Sequence, residues 1–122
     1  MKILLAEDDA NIVKIAKIVL EKVGGHQVTV CMDGGSALNT ALNEDFDLLL
    51  LDGMMPVLPG VEVCKQYQEK KQGSKAVVIF LSAKSSQEDI NEFNQLSMGS
   101  IQKPFDPQSL CQMIDSILEK AA

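Results

Sequence analysis

At 122 residues the chain is one domain by the usual ~100 to 200 residues per domain, and its 46% hydrophobic and 23% charged residues exclude a disordered or low-complexity protein. Seventeen acidic residues against eleven basic ones leave a net charge of -6, the wrong sign for holding nucleic acid by its phosphates, so no direct nucleic-acid contact is expected. The apolar run Ile3 to Ala6 is shorter than the ~7 to 15 residues of a signal-peptide core and no stretch reaches the ~20 that cross a bilayer, which points to a soluble, cytoplasmic protein away from membranes.

In chain order, a first strand is expected over Lys2 to Ala6. A helix follows whose apolar stripe is Ile12, Ile15, Ala16, Val19 and Val23, with Gly24 as its stop. His26 stands in the turn after it, without cysteine or histidine neighbours, and reads as a bystander. A second strand runs Gln27 to Cys31, and Asp33 reads as a helix-start residue. The third strand, Asp47 to Leu51, and the fourth, Lys75 to Leu81, are unbroken apolar runs without alternation, as expected of interior strands covered on both faces. Between them Pro59-Gly60 is a turn signal, and the Met54 and Met55 side chains read as loop packing. The fourth helix, Gln87 to Leu96, has only Ile90, Phe93 and Leu96 as large apolar anchors, so it is the most easily displaced. A fifth strand covers Ser100 to Gln102. The last helix opens with Asp106 as N-cap and Pro107 in its first turn, and carries Leu110, Met113, Ile114, Ile117 and Leu118 on one face.

Cys31, Cys64 and Cys111 are widely spaced and odd in number, which suggests neither a disulfide framework nor a zinc site. Strands alternating with helices make an α/β protein with a parallel sheet, and five strands are too few for a closed eight-stranded barrel. An open doubly wound sheet remains, and such sheets bind ligands just beyond the carboxyl ends of their strands.

Those ends hold Glu7-Asp8-Asp9, Asp33, Asp52, Ser82 and Lys103-Pro104. If the first and third strands are neighbours, Glu7, Asp8 and Asp52 crowd together, and two unit charges ~4 Å apart repel by about 4 kcal/mol at an intermediate dielectric. A hard divalent cation such as Mg²⁺ offsets that repulsion best, because carboxylates, carbonyls and water are its preferred donors. Asp52, alone at the end of a buried leucine run, is the best-placed nucleophile for an acyl phosphate, with Lys103 and Ser82 available to the phosphoryl oxygens. Asp9 reads as a helix cap.

Four separated motifs now carry a family resemblance over essentially all 122 residues. Lys2-Ile3-Leu4-Leu5-Ala6-Glu7-Asp8-Asp9, Leu51-Asp52-Gly53-Met54-Met55-Pro56 with Gly60, Leu81-Ser82-Ala83-Lys84 and Lys103-Pro104-Phe105 together resemble the receiver domain of two-component response regulators. The resemblance implies a single receiver domain over residues 1–122, with a flavodoxin-like five-stranded parallel sheet of order 2-1-3-4-5. It implies that Asp52 is the phosphoacceptor, that Asp8, Asp52 and the Met54 backbone carbonyl bind Mg²⁺ with Glu7 acting through water, that Ser82 is the family's hydroxyl residue, and that Lys103 pairs with the phosphate. It also implies a cis Lys103-Pro104 bond and a phosphorylated lifetime tuned by Met54 and Lys84. The implied activity is that of a signalling switch rather than an enzyme. A histidine kinase or histidine phosphotransfer protein supplies the phosphate, docking near the first helix and the loops around Asp52. An unknown downstream protein then reads the face made by the fourth helix, fifth strand and fifth helix. Ending soon after its fifth helix, the chain is expected to be a stand-alone, CheY-like regulator or a segment of a longer one.

The sequence departs from the family where an aromatic residue usually precedes the lysine by three positions: here that residue is Ser100. The segment before it is also about one residue short, with Leu96-Ser97-Met98-Gly99 in place of the common pattern. Phosphorylation is expected to survive both changes, with signal passing through Ser82 and a shift of the fourth helix. Two other readings compete: a receiver-like interaction module that never reacts, and an aspartyl-nucleophile phosphatase of the haloacid-dehalogenase type. The second normally has an acid two residues after its nucleophile, where this chain has Met54.

Overall fold

The computed structural model describes residues 1–73, 75–83 and 87–120. Its elements are β1 (Lys2–Ala6), α1 (Ala10–Ile18), β2 (Gln27–Cys31), α2 (Gly34–Asn43), β3 (Leu48–Asp52), α3 (Gly60–Lys70), β4 (Val77–Ser82), α4 (Gln87–Leu96), β5 (Gly99–Gln102) and α5 (Leu110–Lys120). All strand pairings are parallel, and the sheet order is β2-β1-β3-β4-β5. This is the expected doubly wound, flavodoxin-like architecture.

The interior strands lack alternation because both faces of the sheet are covered. Leu4, Leu49, Leu51, Val78 and Phe80 point into a core shared with α2, α3 and α4, while Ile3, Leu5, Leu48, Leu50, Ile79 and Leu81 point into a second core beneath α1 and α5. Strand bounds move slightly from expectation. β3 ends on Asp52 instead of Leu51, β4 starts at Val77 instead of Lys75, and β5 takes in Gly99.

The first helix differs more. Its buried residues are Ala16 and Leu20, whereas Ile15 and Val23, expected on the buried stripe, are 45% and 71% exposed. From Val19 to Val23 the helix widens into a π turn, closed by the Gly24 N–H donating to the Val19 carbonyl at 3.2 Å. A wider turn advances fewer degrees per residue, so the 3.6-residue stripe slips out of phase: Leu20 takes the place below Ala16 and Val23 is left facing solvent. Gly24 does end the helix.

The caps fall where the sequence puts them. Asp9 accepts from the Asn11 and Ile12 N–H groups at 2.9 and 3.3 Å, and Asp33 accepts from Ser36 N–H at 2.8 Å. Asp106 accepts from Gln108 N–H at 3.0 Å, capping a 3₁₀ turn over Pro107–Ser109 that leads into α5. Met55 is buried but Met54 is exposed, so only one of the two packs. The three cysteines are free thiols, and His26 Nδ1 lies 3.0 Å from the terminal amine.

Candidate functional site

The parallel ladder runs one residue past the strands and thereby sets the site. The Glu7 N–H donates to the Cys31 carbonyl at 3.1 Å, Gly53 N–H to Leu81 at 2.9 Å, and Lys103 N–H to Ser82 at 2.7 Å. Glu7, Asp52 and Lys103 are therefore held by sheet hydrogen bonds rather than by free loops. The β3–α3 loop is clamped from below. Gly60 N–H donates to the Gly53 carbonyl at 3.2 Å, and a Cβ at Gly60 would collide with the Asp52 carbonyl, so only glycine lets α3 start there.

Glu7, Asp8 and Asp52 each bring a carboxylate oxygen to one point, all within 4.8 Å of one another. Glu7 is fully buried, Asp52 is 4% exposed and Asp8 faces solvent. Lys103 reaches across from the end of β5, with Nζ 2.6 Å from Glu7 Oε1 and 3.1 Å from Asp52 Oδ1. Ser82 is buried at the end of β4, its Oγ 3.8 Å from where a side chain on Gly53 would begin. The Met54 N–H donates to Asp52 Oδ1 at 3.2 Å, and Met54 lines an open cleft together with Asp8, Gly53 and Pro56. Every one of the described residues expected in the site is thus in or beside one pocket. Lys84 lies outside the described residues. The Asp9 and Asp33 side chains serve as helix caps, and the Asp9 N–H donates to Glu7 Oε2 at 3.2 Å.

Burial, and then the neighbouring Glu7, push the Asp52 carboxyl up from 3.8 to about 7, against the pull of the Met54 N–H and Lys103. Burial works to lower the Lys103 ammonium, but hydrogen bonds to Glu7 and Asp52 outweigh it and hold the group above its ordinary value. Among the described residues, three carboxylates face one ammonium and leave negative charge in excess. The donors are all hard oxygens, and the set fits a divalent cation such as Mg²⁺. Chemically the pocket offers a carboxylate nucleophile flanked by a lysine and a hydroxyl.

Two features were not visible in the sequence. Phe93 on α4 lies against Gly53, with ring carbon Cζ 3.3 Å from where a Gly53 Cβ would sit. Val57, in the β3–α3 loop, has a φ of 71°. A glycine directly after Asp52 is the one sequence signal for the first; nothing local marks the second.

The family model for the response regulator receiver domain matches residues 3–115. The chain is 33% identical to the transcriptional regulatory protein ResD of Bacillus subtilis over 99% of its own length and 49% of ResD. It spans about half the length of the first curated relatives it matches. Among solved structures, the receiver domain of the Francisella response regulator 1452 superposes with a TM-score of 0.86 at 30% identity, covering 99% of this chain and 98% of that one. The beryllofluoride-activated DrrB receiver domain of Thermotoga maritima superposes with a TM-score of 0.82 at 28% identity over 97% of both.

Proposed function

Because the chain belongs to the receiver-domain family of two-component response regulators, we propose that Asp52 accepts a phosphoryl group from a phosphohistidine in a Mg²⁺-dependent reaction. Receivers act as signalling phosphoacceptors rather than as classical enzymes. The observation that carries the reading is the convergence of Glu7, Asp8, Asp52 and Lys103 at the carboxyl ends of β1, β3 and β5.

An Asp52 carboxylate oxygen attacks phosphorus, a P–O bond forms as the donor's P–N bond breaks, and the imidazole leaves with the electron pair. Asp52 must be ionised to attack, and Lys103 at 3.1 Å favours the ionised form. Asp8, Asp52, the Met54 carbonyl and, through water, Glu7 would hold Mg²⁺, which when bound supplies the positive charge that neutralises the carboxylates and the transferring oxygens. Lys103 pairs with one phosphoryl oxygen and the Ser82 hydroxyl donates to another. Slow hydrolysis of the phosphoaspartate resets the switch, with Met54 at the cleft mouth and Lys84 governing the approach of water.

Receivers of this family interact with kinases and with downstream effectors. Here the donor is a histidine kinase or phosphotransfer protein docking on α1 and the loops around Asp52. Ile15 and Ile18 stand exposed there beside Lys14 and Lys17. The output face is α4, β5 and α5, read by a downstream protein. Residues 1–122 act as one receiver domain in the cytoplasm; among the described residues no helix is long and apolar enough to cross a membrane.

The test is to incubate the protein with acetyl phosphate and Mg²⁺ and weigh it intact. One phosphoryl adduct, lost in Asp52→Asn and on chelation, is the expected result. No adduct identifies an unreactive module, and turnover of a phosphomonoester identifies a phosphatase.

A further inference from the structure

Phe93 is the only described side chain of α4 that is buried, at 3% exposure; Ile90 and Leu96 are partly exposed and the other described ones face solvent. Phe93 is thus the main apolar anchor of α4, with Leu96 packed against the same core and its carbonyl accepting from Cys64 Sγ at 3.4 Å. Within that core its ring meets Phe80 of β4, with ring centroids 4.7 Å apart and planes tilted by 35°. The ring also lies beside the backbone immediately after Asp52. A Cβ on Gly53 would stand 3.3 Å from Phe93 Cζ, 3.7 Å from Cε1 and 3.8 Å from Ser82 Oγ. The ring and the Ser82 hydroxyl thus border the same small space beside Gly53, and the absent side chain at that position makes room for the ring.

From Phe93 the contacts continue away from the pocket. Its carbonyl accepts from Ser97 N–H at 2.9 Å, and the Ser97 hydroxyl lies 2.5 Å from the Phe93 carbonyl and 3.0 Å from that of Gly99. Gly99 N–H donates back to the same hydroxyl at 3.2 Å. The helix is thereby tied to the first residue of β5.

The other four aromatic side chains are elsewhere or fixed. Phe46 lies under the Lys2 ammonium, 4.9 Å from it. The Tyr67 hydroxyl accepts from Ala76 N–H at 2.7 Å. Phe105 lines the cleft beside α1, and Phe80 belongs to the sheet. Ser100, in register with Phe80, puts no ring on β5.

We propose that Phe93 is the positioning residue that couples Asp52 to α4: a phosphoryl group that draws Ser82 and the Gly53 backbone toward it reshapes the seat of the ring, and α4 with the start of β5 follows. The proposal rests on Asp52 as phosphoacceptor. It extends that reading by naming the contact through which the rest of the fold detects the modification. Tightly packed seats of this kind respond to shifts of a few tenths of an ångström by moving a whole element rather than by deforming it.

The test uses amide NMR spectra of the whole chain with and without beryllofluoride and Mg²⁺, for the wild type, Phe93→Leu and Gly53→Ala. In the wild type, signals of the pocket (Gly53, Met54, Lys103) and of residues 90–100 are expected to shift. In Phe93→Leu the pocket shifts persist while those of residues 94–100 are largely lost; if they persist in full, the proposal is overturned. Gly53→Ala pushes on the ring directly and is expected to shift the signals of α4 and Gly99 without any phosphoryl mimic. Unmoved α4 signals in that variant also overturn the proposal, and this arm decides alone if Phe93→Leu does not fold. Absence of any pocket shift in the wild type counts against Asp52 as acceptor, and the Gly53→Ala result then stands as the measure of the coupling.

Discussion

The Lys103 ammonium lies 2.6 Å from Glu7 Oε1, and Glu7 is fully buried, so Lys103 is the counter-ion of a carboxylate with no access to water. Removing one partner of a buried pair leaves the other's charge uncompensated. Lys103→Met is therefore expected to destabilise the metal-free protein by about 3 kcal/mol at neutral pH. Urea denaturation at neutral pH checks it.

Asp52 sets a pH dependence of its own. Its carboxyl rises from 3.8 to about 7 on folding, chiefly through burial and then through Glu7. Between those values the folded chain holds a proton that the unfolded chain has lost, so metal-free stability falls as pH rises through the interval and levels off above it. Mg²⁺ favours the ionised form, and the stabilisation it gives should grow over the same range. Thermal melts at pH 5 and pH 8, each with Mg²⁺ and with chelator, measure both slopes.

Asp52→Asn removes one of three crowded charges while keeping the shape of the side chain. The variant should take up no phosphoryl group, lose the slope just described, and gain about 2 kcal/mol over the wild type in metal-free solution at pH 8. An unchanged slope would assign the titration to another group.

Much of this site was legible because its chemistry is written at the ends of apolar runs. Asp52 ends Leu48-Leu49-Leu50-Leu51, Glu7 follows Ile3-Leu4-Leu5-Ala6, and strand ends in a doubly wound sheet share one edge. What escaped depends on geometry that periodicity does not encode. The π turn after Ile18 rotates Val23 out and Leu20 in. Lys71 sits in the charge run Glu69-Lys70-Lys71 and looks solvated, yet its side chain is 4% exposed because tertiary packing aims it at the end of α2. The Phe93 contact with Gly53 joins residues forty apart, and only the packing of α4 brings them together.

That lysine gives a further prediction. Lys71 Nζ donates to the Ala41 and Glu44 carbonyls at 3.0 and 2.8 Å and pairs with exposed Asp45 at 3.1 Å, satisfying carbonyls that a helix end leaves open. Lys71→Met keeps the packing and deletes the donors, and is expected to cost about 2 kcal/mol by equilibrium denaturation.

Val57 holds a φ of 71° although it is β-branched, and it is 81% exposed, so little packing offsets the strain. Asn tolerates that conformation far better. Val57→Asn should stabilise the fold by about 1 kcal/mol, read as a raised melting temperature with acetyl-phosphate labelling of Asp52 retained.

β3 is buried at all five positions and hydrogen-bonded to a neighbour on each side. Its amides should exchange with deuterium only when the whole molecule unfolds, which makes the strand that carries Asp52 a rigid base for the site. News of a modification there has no route along the strand itself, and must depart sideways through the segments that open above it.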